Sequence, residues 1–294
     1  MKVRRGDDAV PFPLFTLKGK LRLSGLDDQS ILEVLQEATL ENIDSSEGLF
    51  NHVYDSLSSF NPEIQTNFST LVNYEKARGE KRNIPAIILV LEGASATGKS
   101  LIALELMRDL ATTRFISTDS VRMVLRGIMS KEEYPELFCH TYQAYNYRQA
   151  GPKELDPVLR GFLAQCEVIT PYIETMTKGL ITEGASTVIE GVHVIPGTLQ
   201  DLSQGVLEVL INPEPTTHKA MFTSKYNLEK LTTVSDDRSI REKEFEATLA
   251  IQKFMLIAAE KAGTTVVDLR EYEEARGLIS ARIISKIEEL LKEA

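Results

Sequence analysis

Eight residues have the types and spacing that a polyphosphate site needs. The stretch Gly93-Ala94-Ser95-Ala96-Thr97-Gly98-Lys99-Ser100 matches the pattern G-x-x-x-x-G-K-[ST] at every position. Its two glycines let the backbone wrap closely enough for N–H groups to point at phosphate oxygens, and a helix starting near Gly98 aims its positive end at them. Lys99 would reach the β- and γ-phosphates, and the Ser100 hydroxyl would bind Mg²⁺. The motif therefore predicts a site for ATP with Mg²⁺. The alternative, a glycine-rich turn that only caps a helix, is disfavoured because a strand-like run precedes the motif and an amphipathic helix follows it.

An acidic residue follows the next strand-like run along the chain. Asp119 comes directly after Arg114–Thr118, and the carboxyl ends of strands border the ligand crevice of a doubly wound sheet. There Asp119 would face the transferred phosphate, where it could accept the proton of a substrate hydroxyl or hold Mg²⁺ through water. The alternative is that Asp119 or Ser120 only caps the helix that begins here.

Two arginines lie just beyond this acid. Arg122 and Arg126 are four residues apart, so they share one helical face. Two guanidinium groups there would suit a substrate phosphate or carboxylate. The alternative is a solvated basic face.

A third strand-like run, Thr187–Ile189, is followed by Glu190, Gly191 and His193. Glu190 stands where the second acidic residue of such a site would lie, and Gly191 would allow close approach of the backbone. We treat Glu190 and His193 as candidate substrate contacts. For His193 the alternative is a histidine at the edge of the core with its hydrogen bonds satisfied.

Residues 213–246 are polar and rich in charge or proline, which is typical of a lid that closes over ATP and excludes water. Arg238 and Arg241 are the candidates for catalytic contacts to the transferring phosphoryl group. The alternative is an exposed pair of charged helices. The segment carries His218, Lys219, Lys225, Lys230, Arg238, Arg241 and Lys243.

The elements that position these residues follow an alternating pattern. Amphipathic helices separate the strand-like runs, which predicts an α/β fold with a doubly wound parallel sheet covered on both faces. One helix should start at Pro157 after the cap Asp156 and end at Gly184, and the last helix should bury Ile279 and Ile283. The predicted strands are Ala86–Leu91, Arg114–Thr118, Thr187–Ile189, Val206–Ile211 and Thr265–Leu269.

The first quarter of the chain has a different character. Residues 20–75 repeat apolar positions at helical spacing after a β-like arm over residues 10–17, and residues 75–83 form a charged stretch typical of a linker. We therefore predict a small helical domain over residues 1–80 and a P-loop domain over residues 81–294.

Composition limits the class of protein. The chain has 294 residues, 43% of them hydrophobic, and a net charge of −10, which disfavours a large nucleic-acid surface. The apolar runs are too short to cross a membrane, and the two cysteines predict reduced, buried thiols. We expect a cytoplasmic protein that binds neither nucleic acid nor membrane. Its oligomeric state does not follow from the sequence.

With these residues the chain resembles the archaeal 2-phosphoglycerate kinase family over nearly its whole length. The resemblance rests on the motif at 93–100, on Thr118–Arg122, on Asp156–Phe162, and on Val188–Gly197. Residues 3–5 and 10–12 look like the ATP-cone module, a helical nucleotide-binding or regulatory domain. The family implies ATP, Mg²⁺ and phosphorylation of a hydroxyl on a small phosphorylated hydroxy acid. It also adds Arg160 as a candidate substrate contact.

The sequence departs from that family at the start of the lid. Ala220, Met221 and Phe222 stand where the family has an arginine-rich segment. Such a lid would better tolerate a longer, partly apolar acceptor, so we place mevalonate 3-phosphate, the substrate of a related 5-kinase, slightly ahead of 2-phosphoglycerate. Two other classes remain open: a polynucleotide or tRNA kinase, and a nucleotide-sensing binding protein with little turnover.

Overall fold

The computed structural model describes residues 2–5, 8–40, 43, 45–80, 83–229, 235 and 237–294. The chain begins with an antiparallel pair of short strands, β1 (Lys2–Arg5) and β2 (Asp8–Pro11). The predicted β-like arm therefore ends early, because a helix starts at Leu14. Pro13 precedes it, and proline is tolerated there since the first N–H groups of a helix have no intrahelical partner.

Four helices follow, as the apolar spacing predicts. They are α1 (Leu14–Leu23), α2 (Asp28–Leu40), α3 (Ser46–Ser56) and α4 (Pro62–Gly79). Their apolar faces meet in a small core that contains Leu17, Ile31 and Phe68. The predicted linker at 75–83 is partly wrong, because α4 continues to Gly79.

The remaining strands form one parallel sheet. The chain runs through β3 (Ile88–Glu92), α5 (Lys99–Asp109), β4 (Arg114–Ser117), α6 (Thr118–Arg126), α7 (Pro157–Glu183), β5 (Thr187–Gly191), β6 (Val206–Pro213), α8 (Pro215–Glu229), α9 (Arg238–Ala262), β7 (Thr265–Leu269) and α10 (Tyr272–Glu293). The strand order is β4-β5-β3-β6-β7, and every neighbouring pair is parallel. The predicted fold class is confirmed, and all five predicted strands are present.

Helices cover both faces of the sheet. Successive residues of a strand point to opposite faces, so β3 contributes side chains to two core clusters. Leu89 and Leu91 of β3 pack in one core cluster with residues of α4, α5 and α10. Ile88 and Val90 pack in another with residues of α6 and α7. The predicted cap of α7 is also confirmed, since the Asp156 carboxylate accepts from the Val158 N–H at 2.8 Å. So are the buried positions of α10, which include Ile279 and Ile283.

The N-terminal helices lie directly against the sheet. Tyr74 of α4 is buried, and its hydroxyl donates to the Pro85 carbonyl at 2.8 Å and accepts from the Ile87 N–H at 3.0 Å. Leu71 and Ala77 of the same helix share the core cluster of β3. A division of the chain near residue 80 stays a prediction, and residues from both parts pack in the core cluster of β3.

A buried ion pair ties the same helices to α5. The Asp109 carboxylate lies 3.0 Å from Arg22 of α1 and 3.4 Å from Arg276 of α10. Burial raises the pKa of Asp109, and the two guanidinium groups oppose that rise. A buried charge that loses its partner costs several kcal/mol, so α1, α5 and α10 depend on one another.

Two further expectations can be checked against the same residues. Cys139 and Cys166 are buried free thiols, as predicted, and burial raises the pKa of Cys139 to about 11. Within the described part of the chain, no helix has both the length and the apolar composition needed to span a membrane.

Gly19 of α1 supplies a test of this packing. A Cβ at Gly19 would lie 3.0 Å from the Arg108 carbonyl oxygen and closer still to that of Asp109. We expect Gly19→Ala to lower the free energy of unfolding by about 1–3 kcal/mol through overpacking. Gly179→Ala in α7 is the matched control, because its Cβ meets nothing within 4 Å and alanine favours a helix by about 1 kcal/mol. Urea unfolding of both variants makes the comparison; equal stability would contradict close docking of α1.

Candidate active site

The motif at 93–100 forms a loop that leads from β3 into α5. Gly98 has a φ of 83°, a left-handed conformation that favours glycine. A Cβ there would also lie 2.7 Å from a methyl carbon of Leu269 and 3.0 Å from the Tyr272 hydroxyl. Lys99 is largely buried, and its amine donates to the Ala94 carbonyl at 3.2 Å. The lysine therefore reaches across the loop that the sequence assigns to phosphates.

Two side chains from α8 and α9 hold this loop in shape. Gln252 of α9 accepts from the Ala94 N–H at 2.9 Å and donates to the Ile211 carbonyl at 3.0 Å. His218 of α8 is buried, and its Nε2 lies 2.8 Å from the Ser95 carbonyl oxygen. A carbonyl only accepts, so Nε2 carries the proton. Sequence reasoning missed both roles, because a single polar residue inside a helix gives no local signal.

Two side chains suited to bind Mg²⁺ come together at the start of α5. The Ser100 hydroxyl donates to Glu190 Oε2 at 3.0 Å. The sheet register explains this, since Glu190 lies opposite Leu91, two residues before the loop, and opposite Ser117 on its other side. Hydroxyl and carboxylate oxygens are ligands that Mg²⁺ prefers, and it commonly keeps several waters besides. These residues fit the predicted metal, with Glu190 rather than Asp119 beside Ser100.

Asp119 lies in the first turn of α6. The residue that caps this helix is Ser117, without a side-chain hydrogen bond, so neither Asp119 nor Ser120 is the N-cap. The Asp119 side chain is 64% exposed, and its Oδ1 lies 2.9 Å from Arg122. The carboxylate therefore lies largely exposed at the carboxyl edge of the sheet, one strand away from Glu190.

The structure brings the two predicted arginines together. Arg122 and Arg126 both donate to the Cys139 carbonyl, Arg126 at 3.4 Å, and Arg126 also donates to the Leu137 carbonyl at 2.5 Å. Arg122 is largely buried, and no described group accepts from its Nε. Burial and the neighbouring Arg122 lower the pKa of Arg126. The pair forms a fixed cationic wall beside Asp119.

His193 does not reach the crevice. Its residue exposure is 0%, and both ring nitrogens have partners: Thr118 at 2.9 Å from Nδ1 and Gln165 at 3.1 Å from Nε2. This geometry is that of the alternative, a satisfied core histidine, and burial lowers the pKa of His193 to about 3. The close approach predicted at Gly191 exists, but its neighbour is Thr118, which a Cβ there would overlap.

The predicted lid residues divide between core and solvent. Arg241 is buried, donates to the Phe222 carbonyl, and lies 4.2 Å above the Phe222 ring. Arg241 also forms a hydrogen bond with the Tyr142 hydroxyl. Burial raises the pKa of that hydroxyl. Arg238 is 92% exposed and lies 3.4 Å from Glu242. Lys230 and the side chain of Lys225 lie outside the described residues.

Arg160 lies at the start of α7. Its described backbone bonds go to Asp156 and Ala150, and no described group accepts from its buried Nε. The structure places it on the first turn of that helix without a contact to the loop at 93–100. Its predicted substrate contact stays a prediction.

Comparison with known proteins identifies the family. No family model matches the chain. It is 31% identical to a 2-phosphoglycerate kinase of Pyrococcus horikoshii over 73% of this chain and 69% of that protein. It is 28% identical to the 2-phosphoglycerate kinase of Methanopyrus kandleri over 98% of this chain and 88% of that protein. The chain belongs to the 2-phosphoglycerate kinase family.

As a member of the 2-phosphoglycerate kinase family, the chain is an ATP-dependent phosphotransferase that uses Mg²⁺. Among solved structures, a shikimate kinase from Acinetobacter baumannii covers 72% of this chain with 10% identity and a TM-score of 0.40. That score is too low to compare sites, so the description of the fold rests on the sheet order itself.

One residue beside the loop is a buried carboxyl group without a charged partner among the described side chains. Glu92, which ends β3, is fully buried, and neither carboxylate oxygen has a partner among the described residues. Burial, and then the nearby Glu208, raise the pKa of Glu92 well above its usual range. Burial at the base of the phosphate-binding loop therefore favours the protonated form of Glu92.

The raised pKa of Glu92 should make the free energy of unfolding depend on pH. Above about pH 4.5 the unfolded chain releases the Glu92 proton while the folded chain keeps it, so this group lowers stability as pH rises, by up to about 1.4 kcal/mol per pH unit. Glu92→Gln removes that loss. We expect the stability of the variant relative to wild type to be greater at pH 8 than at pH 5 in urea unfolding. A difference that stays constant between pH 5 and pH 8 would mean that Glu92 is ionised in the fold.

Proposed function

We propose that this family member transfers the γ-phosphate of ATP to a hydroxyl of a small hydroxy acid that already carries a phosphate, with 2-phosphoglycerate as the acceptor. The observation that carries the proposal is Arg122. It is a nearly buried guanidinium that lies 2.9 Å from the exposed carboxylate of Asp119. That combination suits an acceptor which brings an anionic group and a hydroxyl to adjacent positions.

Charge supports an anionic acceptor. A guanidinium group binds a phosphate or carboxylate oxygen through charge-assisted hydrogen bonds. Arg126 adds a second guanidinium, which donates to the same Cys139 carbonyl as Arg122. Two positive charges therefore lie beside the carboxylate of Asp119. A neutral acceptor would leave this excess of positive charge uncompensated.

The choice between two acceptors now favours the shorter one. The sequence-based preference for mevalonate 3-phosphate rested on apolar lid residues, but Phe222 lies in the core against Tyr142 and Phe245. Met221 packs towards Tyr272, whose hydroxyl is 3.7 Å from its sulfur. These side chains offer no apolar wall to an acceptor, whereas the curated relatives are named 2-phosphoglycerate kinases. Mevalonate 3-phosphate is the second acceptor to test.

Each residue then has a role in phosphoryl transfer, which depends mainly on positioning and charge neutralisation. Lys99 would bind the β- and γ-phosphates. Ser100 and Glu190 would hold Mg²⁺, which supplies charge neutralisation at the phosphate oxygens when bound. Asp119 would orient the acceptor hydroxyl and take its proton.

Two other classes predict different results. A polynucleotide or tRNA kinase requires a basic groove and would shift nucleic acid in a gel at low salt, but the net charge is −10. A nucleotide sensor would bind ATP tightly and release no product with any acceptor. The geometry around Asp119 and Arg122 favours neither.

A coupled assay of ADP release tests the acceptor. We expect 2-phosphoglycerate to give the highest kcat/KM, mevalonate 3-phosphate a lower value, and glycerate and mevalonate little, because the last two lack the phosphate that Arg122 would bind. Lys99→Ala should reduce turnover by orders of magnitude, since the β/γ charge is left uncompensated. Faster turnover of mevalonate 3-phosphate would reverse the choice of acceptor.

The two acids should separate kinetically. Asp119→Asn is expected to lower kcat by about 10²–10⁴-fold, the usual size of general-base catalysis, with the KM for ATP unchanged. Glu190→Gln should instead raise the Mg²⁺ concentration needed for half-maximal rate. Steady-state kinetics over a Mg²⁺ titration measures both. Wild-type turnover in Asp119→Asn would remove its role.

A further inference from the structure

We infer that His193 is a positioning residue: a buried hydrogen-bond relay that sets Asp119 through one ring nitrogen and the Arg122–Arg126 pair through the other. The inference rests on the roles proposed above for Asp119 and Arg122. It gives His193 a part in the reaction without contact to either substrate.

The direction of each hydrogen bond follows from its partners. The Gln165 amide nitrogen lies 2.5 Å from the Glu136 carbonyl and 3.4 Å from that of Cys139, and carbonyl oxygens only accept. The amide oxygen of Gln165 therefore faces His193 Nε2, 3.1 Å away, so Nε2 carries the proton. Nδ1 then accepts from the Thr118 hydroxyl at 2.9 Å. One tautomer of the ring satisfies both bonds.

The first arm of the relay sets the start of α6. Thr118 is fully buried, held by His193 on one side and by the backbone of Gly191 on the other, where no Cβ would fit. Asp119 is the next residue, so the position of Thr118 fixes where its backbone leaves the sheet. A shift of Thr118 would move the Asp119 carboxylate relative to the acceptor hydroxyl.

The second arm sets the two arginines. The Cys139 carbonyl accepts from Arg122, from Arg126 and from Gln165, and Gln165 connects it to His193. The Thr141 hydroxyl, in the same connecting segment, lies 3.4 Å from Nε2. Without the imidazole N–H, Gln165 loses one of the bonds that orient its amide, and the carbonyl that anchors both guanidinium groups is less firmly held.

Two partial replacements can separate the arms. Asparagine places an amide oxygen near the position of Nδ1, so His193→Asn retains the acceptor for Thr118. Glutamine places an amide nitrogen near the position of Nε2, so His193→Gln retains the donor to Gln165. His193→Leu removes both. Thr170→Val is the matched control, because Thr170 donates at 2.8 Å to the backbone carbonyl of His193 and leaves the ring untouched.

Steady-state kinetics with 2-phosphoglycerate, or with mevalonate 3-phosphate if that acceptor is faster, makes the test. Misplacement by about 1 Å can cost roughly 100-fold in rate, so we expect His193→Leu to lower kcat and raise the acceptor KM by about 10- to 100-fold, with the KM for ATP within about twofold. His193→Asn should recover kcat, His193→Gln should recover the acceptor KM, and Thr170→Val should alter neither. Wild-type kinetics in His193→Leu, or equal losses in all three variants that follow their folded fraction by circular dichroism, would overturn the relay.

A second measurement does not depend on the acceptor. In ¹⁵N NMR of histidine-labelled protein, the relay requires His193 as the tautomer protonated at Nε2, and a ring protonated at Nδ1 would overturn it. If the wild-type chain turns over no acceptor, the proposed function has failed, and the tautomer still decides whether the hydrogen-bond relay exists.

Discussion

The site depends on the alignment of three parallel strand ends. Leu91, Glu190 and Ser117 lie side by side in β3, β5 and β4, so the residues that follow them leave the sheet at one edge. From this edge come the phosphate-binding loop, the acid that pairs with Ser100, and Asp119. Parallel strands need crossover helices, and the same helices cover the sheet on both faces. The chemistry is therefore a direct product of the sheet register.

The loop itself is not an isolated structure. Its carbonyl at Ser95 is bound by His218, and its N–H at Ala94 is bound by Gln252. Because these side chains come from α8 and α9, a movement of either helix must change the donors and acceptors of the loop. Arg241 is anchored in the same region by the Phe222 carbonyl. Loop and lid therefore share their hydrogen bonds.

Local patterns predicted much of this structure, and long-range contacts account for the rest. The strands and the motif at 93–100 were predictable, because apolar runs and glycine spacing act over short distances. Arg238 and Arg241 are only three residues apart, yet Arg238 is exposed to solvent and Arg241 is buried in the core. Which face of α9 is covered depends on the partner helix, which the sequence does not name. The sequence also does not show that Phe222 is covered by neighbouring helices, so it was expected to lie near the acceptor. The hydrogen bond of Gln252 to the loop was not predicted.

The charged stretch that ends α4 shows another limit. A helix needs apolar residues on one face alone, so Tyr74 and Ala77 suffice to hold α4 on the sheet while their charged neighbours face water. The predicted arm at 10–17 ended early because Leu14 and Leu17 serve a helix as well as a strand.

The position of Asp109 has a consequence for how the chain can be divided. A shortened protein that starts near residue 81 would retain this carboxylate at the end of the phosphate-binding helix but lose Arg22, the nearer of its two cations. The sheet would also expose the apolar surface that α4 covers. Removal of the first eighty residues would therefore destabilise the part of the chain that carries the phosphate-binding loop.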